Sequence, residues 1–115
     1  MAAQRGEIYF VNLEPAGTGD DINIRPVLVL SINAINRLPL VVTVVVGTSG
    51  ERLTRDYFAN IRVPSDESGL AEEVVFLGFQ IRSLSARRLS SRPAGRVSGN
   101  ILRQVEEAVR YCLGL

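Results

Sequence analysis

The numbers of cysteine and histidine residues limit the chemistry that this chain can perform. Its 115 residues include one cysteine, Cys112, and no histidine. Catalysis by a Ser-His-Asp or Cys-His group is therefore excluded, and so is a zinc site built from the usual His and Cys ligands. Any reaction must use Arg, carboxylate, hydroxyl, Gln or Tyr side chains, and we expect no cofactor. The formal net charge of +1 does not by itself indicate a nucleic-acid-binding protein.

Arg25 and Thr48 are the strongest candidates for chemistry. Arg25 stands where a loop enters an apolar strand, so that a rigid element would aim its guanidinium. This planar group can hold two phosphate oxygens and stabilise negative charge that develops on them. Thr48 lies beside two glycines in segment 47–50, and its hydroxyl can donate to a phosphate oxygen. A structural Arg paired with Asp20, Asp21 or a carboxylate of the sheet, and an ordinary turn Thr, remain the alternative interpretations.

Other side chains could bind a substrate. Gln80 and Arg82 would share one side of a strand, where Gln can contact the edge of a nucleobase and Arg a phosphate. Asp20 could orient the neighbouring arginine or act as a base. Tyr9 and Phe10 could stack on a base, although their place within a strand favours the core.

Apolar patterning predicts the elements that position these residues. Strands are predicted at 7–13, 26–30, 40–46, 57–63 and 73–79, a short helix at 83–89, an edge strand at 92–97, and a final helix between Ser98 and Gly114. In the fourth strand the odd-numbered residues, from Tyr57 to Val63, are predicted to face inward. Strands followed by one helix predict a mainly β domain, a small barrel or strongly bent sheet covered by a C-terminal amphipathic helix. The length fits a single domain over residues 1–115.

The chain is expected to be cytoplasmic. No signal peptide is visible at the N-terminus, and the longest apolar run, 38–46, is far shorter than the roughly 20 residues that cross a bilayer. The single cysteine fits a reducing compartment. We therefore expect no membrane partner.

Five segments resemble the MazF/PemK (Kid-like) family of toxin endoribonucleases. They are RGEIYFVNLEP at 5–15, RPVLVLS at 25–31, GTS at 47–49, QIRS at 80–83 and GRVS at 95–98. They follow the family's order over essentially the whole chain. The chain differs from the family's usual pattern at Asp20, at Gly47, where a Pro is usual, and at Phe79, where the family often has Asp.

This resemblance implies an SH3-like small β-barrel of the CcdB/Kid/MazF kind, acting as a homodimer on single-stranded RNA. It also implies a MazE-like antitoxin whose acidic tail occupies the RNA groove. The implied reaction needs no metal, because the RNA's own 2′-hydroxyl attacks the adjacent phosphate and leaves 2′,3′-cyclic phosphate and 5′-hydroxyl ends. The predicted catalytic residues are Arg25 and Thr48, and the predicted substrate-binding residues are Asp20, Ser49, Gln80 and Arg82.

Three other functions remain open at this point. A CcdB-like toxin would poison DNA gyrase without catalysis. A non-catalytic SH3-like module would need an aromatic-lined groove, but aromatic residues make up only 6% of the chain and there is no Trp. A family member with weakened activity would bind RNA and cut it slowly.

Overall fold

The computed structural model describes residues 2–13, 24–38, 40–53 and 55–115. The strands are β1 (Glu7–Asn12), β2 (Ile24–Val29), β3 (Val41–Ser49), β4 (Asn60–Val63), β5 (Val74–Ser85) and β6 (Gly95–Arg96). The helices are α1 (Asn33–Asn36), α2 (Ser65–Ser68) and α3 (Gly99–Leu113), and short 3₁₀ turns occupy Gly50–Arg52 and Ala86–Arg88.

The six strands form one antiparallel sheet in the order β4-β5-β3-β2-β1-β6. The β3–β5 register shifts within this sheet, because Val45 lies opposite Ile81 whereas Gly47 lies opposite Phe76. Residues 77–80 of β5, which we call the β5 bulge, therefore face only one residue of β3. An irregularity of this kind bends a strand and increases its twist, and it accompanies the curling of the sheet into a half-barrel.

Both faces of the sheet are apolar. One cluster contains Ile8, Val45 and Phe76 together with α3, and the other contains Tyr9 and Val44. Neighbouring residues of one strand thus belong to different clusters, as the alternation of side chains requires. The middle residues of β2 and β3 are therefore buried on both faces of the sheet.

Helix α3 begins and ends where the sequence predicts. The Ser98 hydroxyl accepts a hydrogen bond from the Ile101 N–H at 3.2 Å, and Gly114 ends the helix with a φ of 71°, a conformation that favours glycine. Its buried residues, Ile101, Val105, Ala108 and Val109, lie on one face. A mainly β fold with a curled sheet and a C-terminal amphipathic helix is therefore confirmed.

The predicted helix at 83–89 is wrong. Strand β5 continues to Ser85, and only Ala86–Arg88 form a 3₁₀ turn. The strand persists because Leu84 pairs with Val42 and is buried in the second apolar cluster. Tertiary pairing and burial here outweigh local helix propensity.

The inward orientation predicted for Tyr57 is also wrong. Tyr57 is 55% exposed, because β4 begins only at Asn60. The residues before it form a turn in which the Asn60 N–H donates to the Tyr57 carbonyl at 3.0 Å. Val63, at the other end of the segment, is buried as predicted.

In the described segments, no helix combines the length and apolarity needed to traverse a bilayer.

Candidate active site

The β2–β3 pairing brings Arg25 and Thr48 together. Val27, at one end of this pairing, lies opposite Val46, and Arg25 and Thr48 lie two residues beyond it on their own strands. Both line the same two cavities. The Arg25 Nε donates to the Gly47 carbonyl at 2.8 Å, which ties the guanidinium to the strand that carries Thr48.

Two adjoining cavities, of about 400 and 560 Å³, meet at Arg25, Thr48 and Arg52. We call this pair of cavities the Arg25 groove. The first cavity extends past Phe10, Pro26, Ser49 and Glu73. The second cavity extends past Tyr57, Asn60, Phe79 and Gln80.

The groove is electrostatically suited to an anion. Burial lowers the pKa of Arg25 from its ordinary value, and the nearby positive charge of Arg52 lowers this pKa further. Arginine nevertheless stays protonated in proteins, so two like charges face each other here. An anion bound between them would offset both the lost hydration and the repulsion.

Position 47 must be a small residue for local packing reasons. A Cβ atom at Gly47 would lie 2.9 Å from the ring of Phe76, which is fully buried. The glycine therefore lets β3 approach this core aromatic ring.

Thr48 and Ser49 end strand β3 in different ways. Thr48 is only 8% exposed and lines both cavities. The Ser49 Oγ accepts a hydrogen bond from the Glu51 N–H at 3.3 Å, so it caps the turn Gly50–Arg52. That turn carries Arg52 into the groove.

Arg62 anchors the same turn from β4. Its guanidinium donates to the backbone carbonyls of Gly50 at 3.1 Å and Leu53 at 2.5 Å. It also donates to the carboxylates of Glu73 at 2.8 Å and Asp56 at 3.0 Å, and the Glu73 bond is the main reason that the pKa of Arg62 is raised. Arg62 thus holds both ends of the turn in place.

The sequence reasoning missed Arg52 and Arg62. Arg52 follows Thr48 by four residues, and a second arginine just beyond the strand end was the available signal. Arg62 was predicted only as an outward-facing residue of a strand. Its side chain is 26% exposed, and its role depends on contacts with segments far along the chain.

Gln80 and Arg82 are separated by the fold. Gln80, in the β5 bulge, lines the second cavity with Arg25 and Thr48. Arg82 lies opposite Val44 beyond the bulge, and it is not among the described residues that line the groove. Asp20 lies outside the described residues.

The two aromatic residues of β1 differ in their burial. Tyr9 is 4% exposed and belongs to the core, where burial and a hydrogen bond to Glu7 raise its pKa to about 12. Phe10 is 46% exposed and lines the first cavity. The core interpretation is therefore confirmed for Tyr9 and wrong for Phe10, whose side chain points away from that core.

Within the part of the chain that the structure describes, no three His, Cys, Asp or Glu side chains form a group that could hold a metal ion. Cys112 is a half-buried free thiol on α3.

Comparison with known proteins gives consistent relatives. A family model described as PemK-like, MazF-like toxin of type II toxin-antitoxin system matches residues 4–113. The chain is 35% identical over 117 residues to endoribonuclease MazF9 of Mycobacterium tuberculosis (strain ATCC 25618 / H37Rv), with 97% of both proteins covered. It is 31% identical over 105 residues to endoribonuclease PemK of Escherichia coli, covering 89% of this chain and 75% of that protein.

A solved structure has the same fold. It is that of an endoribonuclease in complex with its cognate antitoxin from Mycobacterial species, with a TM-score of 0.77 at 26% identity. The match covers 99% of this chain and 97% of that chain. Since the family model and the MazF9 similarity both span nearly all of the sequence, the chain belongs to the PemK-like, MazF-like family of toxins of type II toxin–antitoxin systems.

Proposed function

We propose that this protein is a toxin that cuts single-stranded RNA without a metal ion. The observation that carries the proposal is the convergence of Arg25, Thr48 and Arg52 on one groove. The family supports it, because its relatives MazF9 and PemK are named endoribonucleases. These relatives also favour RNA cleavage over the CcdB-like poisoning of gyrase.

The reaction uses a nucleophile that RNA itself supplies. The 2′-hydroxyl gives up its proton to a base, for which Asp20 and water are the candidates, and its oxygen attacks the adjacent phosphorus. The bond from phosphorus to the 5′-oxygen breaks, and the leaving oxygen takes up a proton. The products are a 2′,3′-cyclic phosphate and a 5′-hydroxyl end. The protein must align the attacking oxygen and stabilise the negative charge that builds up on the oxygens bonded to phosphorus.

Arg25 stabilises that charge. Its Nε is held by the Gly47 carbonyl, which directs the rest of the guanidinium toward the groove. The Thr48 hydroxyl donates to another phosphate oxygen, and Arg52 adds a second positive charge. An arginine does not act as the base, because its pKa exceeds about 12.

We also propose that four residues bind the substrate: Ser49, Gln80, Arg82 and Asp20. Ser49 and Gln80 are best supported, since each lines one cavity of the groove. Arg82 lies outside the groove, so it would contact the RNA only if the bound RNA extends beyond the groove along β5. Asp20 keeps its predicted role of orienting Arg25 or serving as the base.

The proposed partners are a second copy of the chain and a MazE-like antitoxin. The solved antitoxin complex of a related endoribonuclease supports the antitoxin. Exposed apolar side chains on a small domain support a homodimer, among them Ile32, Leu38 and Leu40, which are 50–68% exposed. The proposed location is the cytoplasm, where the thiol of Cys112 would stay reduced.

An assay in excess EDTA tests the proposed reaction. The protein and its Arg25→Ala variant are incubated with single-stranded RNA, and the chemistry of the new ends is determined. We expect 5′-hydroxyl ends from the native protein and a rate about 10²–10³-fold lower for the variant, the usual cost of removing one such donor.

Arg103→Ala is the matched control for this assay. It removes the same charge from an exposed position on α3 and should retain the native rate. Intact RNA, or cleavage that requires added metal, would contradict the proposal. Intact RNA together with trapped gyrase–DNA complexes would favour the CcdB-like alternative.

A further inference from the structure

Two aromatic rings are exposed at the edge of the Arg25 groove. Tyr57 and Phe79 line its second cavity, and they are 55% and 59% exposed. The chain has only three Tyr, four Phe and no Trp. Five of these seven rings are at least 46% exposed, and two of the five, Phe58 and Tyr111, contact each other. Tyr57 and Phe79 are the two that line the second cavity, so a ligand in this part of the groove would meet both of them.

The backbone holds these rings in a defined arrangement. The Gly78 N–H donates to the Ala59 carbonyl at 2.7 Å, which joins the β5 bulge to the turn before β4. A Cβ atom at Gly78 would lie 2.7 Å from that carbonyl and 3.0 Å from the Cβ of Ala108. This close approach requires glycine, and it places the segments that carry Tyr57 and Phe79 side by side.

The second cavity of the Arg25 groove is lined by both arginine side chains and aromatic rings. Arg25 and Arg52 occupy the end shared with the first cavity, and the two rings occupy the other part. The Arg55 guanidinium also lies 5.8 Å from the centre of the Tyr57 ring. A single-stranded nucleic acid carries phosphates and bases in alternation. Its phosphates can bind guanidinium groups, and its bases can stack on aromatic rings.

We propose that Tyr57 and Phe79 form a base-stacking subsite for one unpaired base of the RNA, next to the phosphate held by Arg25 and Thr48. This inference rests on the proposed function. Phe79 stands where the family resemblance gives Asp. By holding the base beside the cut phosphate, the subsite would contribute to the sequence preference of cleavage.

Two amide side chains accompany the rings. Gln80 and Asn60 line the same cavity, and the Asn60 Oδ1 is buried without a hydrogen-bond partner among the described residues. An unpaired buried acceptor is unfavourable, and an N–H of a bound nucleobase would satisfy it. Stacking alone tolerates any base, so these amides are the groups that would discriminate between bases.

The test uses variants that replace a ring by a branched aliphatic side chain. Tyr57→Leu and Phe79→Leu are compared with the ring-preserving controls Tyr57→Phe and Phe79→Tyr. Binding is measured by fluorescence anisotropy with a random-sequence single-stranded RNA whose 2′-oxygens are methylated, since it cannot be cut. The ends formed from the unmodified RNA pool in EDTA are sequenced in parallel.

We expect each Leu variant to bind the methylated RNA about 5- to 150-fold more weakly, the range for loss of one stacked base. Its cleaved ends should show a weaker base preference at one position beside the cut, because a base that is not stacked is no longer held against the amides of Gln80 and Asn60. The ring-preserving controls should keep native affinity and preference. Thermal melts should be unchanged for all four variants, because both side chains are more than half exposed.

Native affinity and native base preference in both Leu variants would overturn the subsite. So would Leu variants that keep RNA binding but lose binding to the antitoxin, since the rings would then serve a protein partner. A native protein that binds the methylated RNA but does not cut the unmodified pool would refute the proposed cleavage, while the subsite is still decided by the binding of the Leu variants. Absence of RNA binding by the native protein would overturn both.

Discussion

The surroundings of Arg25 determine which ligand its guanidinium favours. The Arg25 Nε donates a hydrogen bond to the Gly47 carbonyl, and the charge of Arg25 is partly buried near the charge of Arg52. Both conditions favour an anion over water at the remaining donors. The same residue on a solvated strand end would be an ordinary surface charge.

Thr48 allows the contribution of a single hydroxyl to be isolated. Thr48→Val removes the hydroxyl and keeps a β-branched side chain that suits a strand. If the hydroxyl donates to a phosphate oxygen, kcat should fall about 10²–10³-fold, whereas Thr48→Ser should retain most of it. Single-turnover cleavage with saturating enzyme measures this difference. Equal rates for the Val and Ser variants would contradict the assigned role.

At the scale of the element, the turn after β3 is the unit that assembles the site. It is capped by Ser49, the last residue of β3, and it is held by hydrogen bonds from Arg62 of β4. Because the turn has only three residues, few contacts of its own hold it in place. Its position, and that of Arg52, therefore depends on these outside hydrogen bonds.

Arg62→Gln should loosen this turn. The variant cannot reproduce four hydrogen bonds that reach two backbone carbonyls and two carboxylates. We expect weaker RNA binding, seen as a KM raised several-fold, and a lower midpoint of urea unfolding, because charged hydrogen bonds are lost. Steady-state cleavage and urea unfolding measure the two effects. Arg103→Gln is the matched control, and equal behaviour of the two variants would refute the anchoring role of Arg62.

At the scale of the whole molecule, the half-barrel is covered on one face by α3. Apolar side chains remain exposed elsewhere, notably in segment 32–41. Contiguous apolar surface on a small domain commonly marks an interaction site. The proposed homodimer would remove part of this surface from water.

Light scattering tests the dimer directly. One chain has a mass of 12.6 kDa, so a dimer should give about twice that value at micromolar concentration, as expected for the two-fold association that is commonest among oligomers. Dilution should shift the mass toward that of one chain only below the dissociation constant. A mass of one chain throughout the micromolar range would contradict the dimer.

Much of the architecture is predictable from the sequence because it is local. The alternation in β1 and the apolar runs of β2 and β3 identify these strands, and Ser98 and Gly114 mark the ends of α3. These signals arise from side-chain period and backbone conformation within a few residues. The prediction at 83–89 failed because Leu84 is held in a strand by pairing with a distant segment.

The sequence by itself determined the kinds of chemistry open to this protein, since the absence of His leaves Arg, carboxylate, hydroxyl, Gln and Tyr side chains for any reaction. It also singled out Arg25 and Thr48, each of which stands at a strand end. Only the tertiary structure brought Arg52, Tyr57 and Phe79 to the groove, and Arg62 to the turn that carries Arg52. Their meeting depends on the β3–β5 register shift and on the turn before β4, long-range contacts whose geometry is set by packing and not by spacing along the chain.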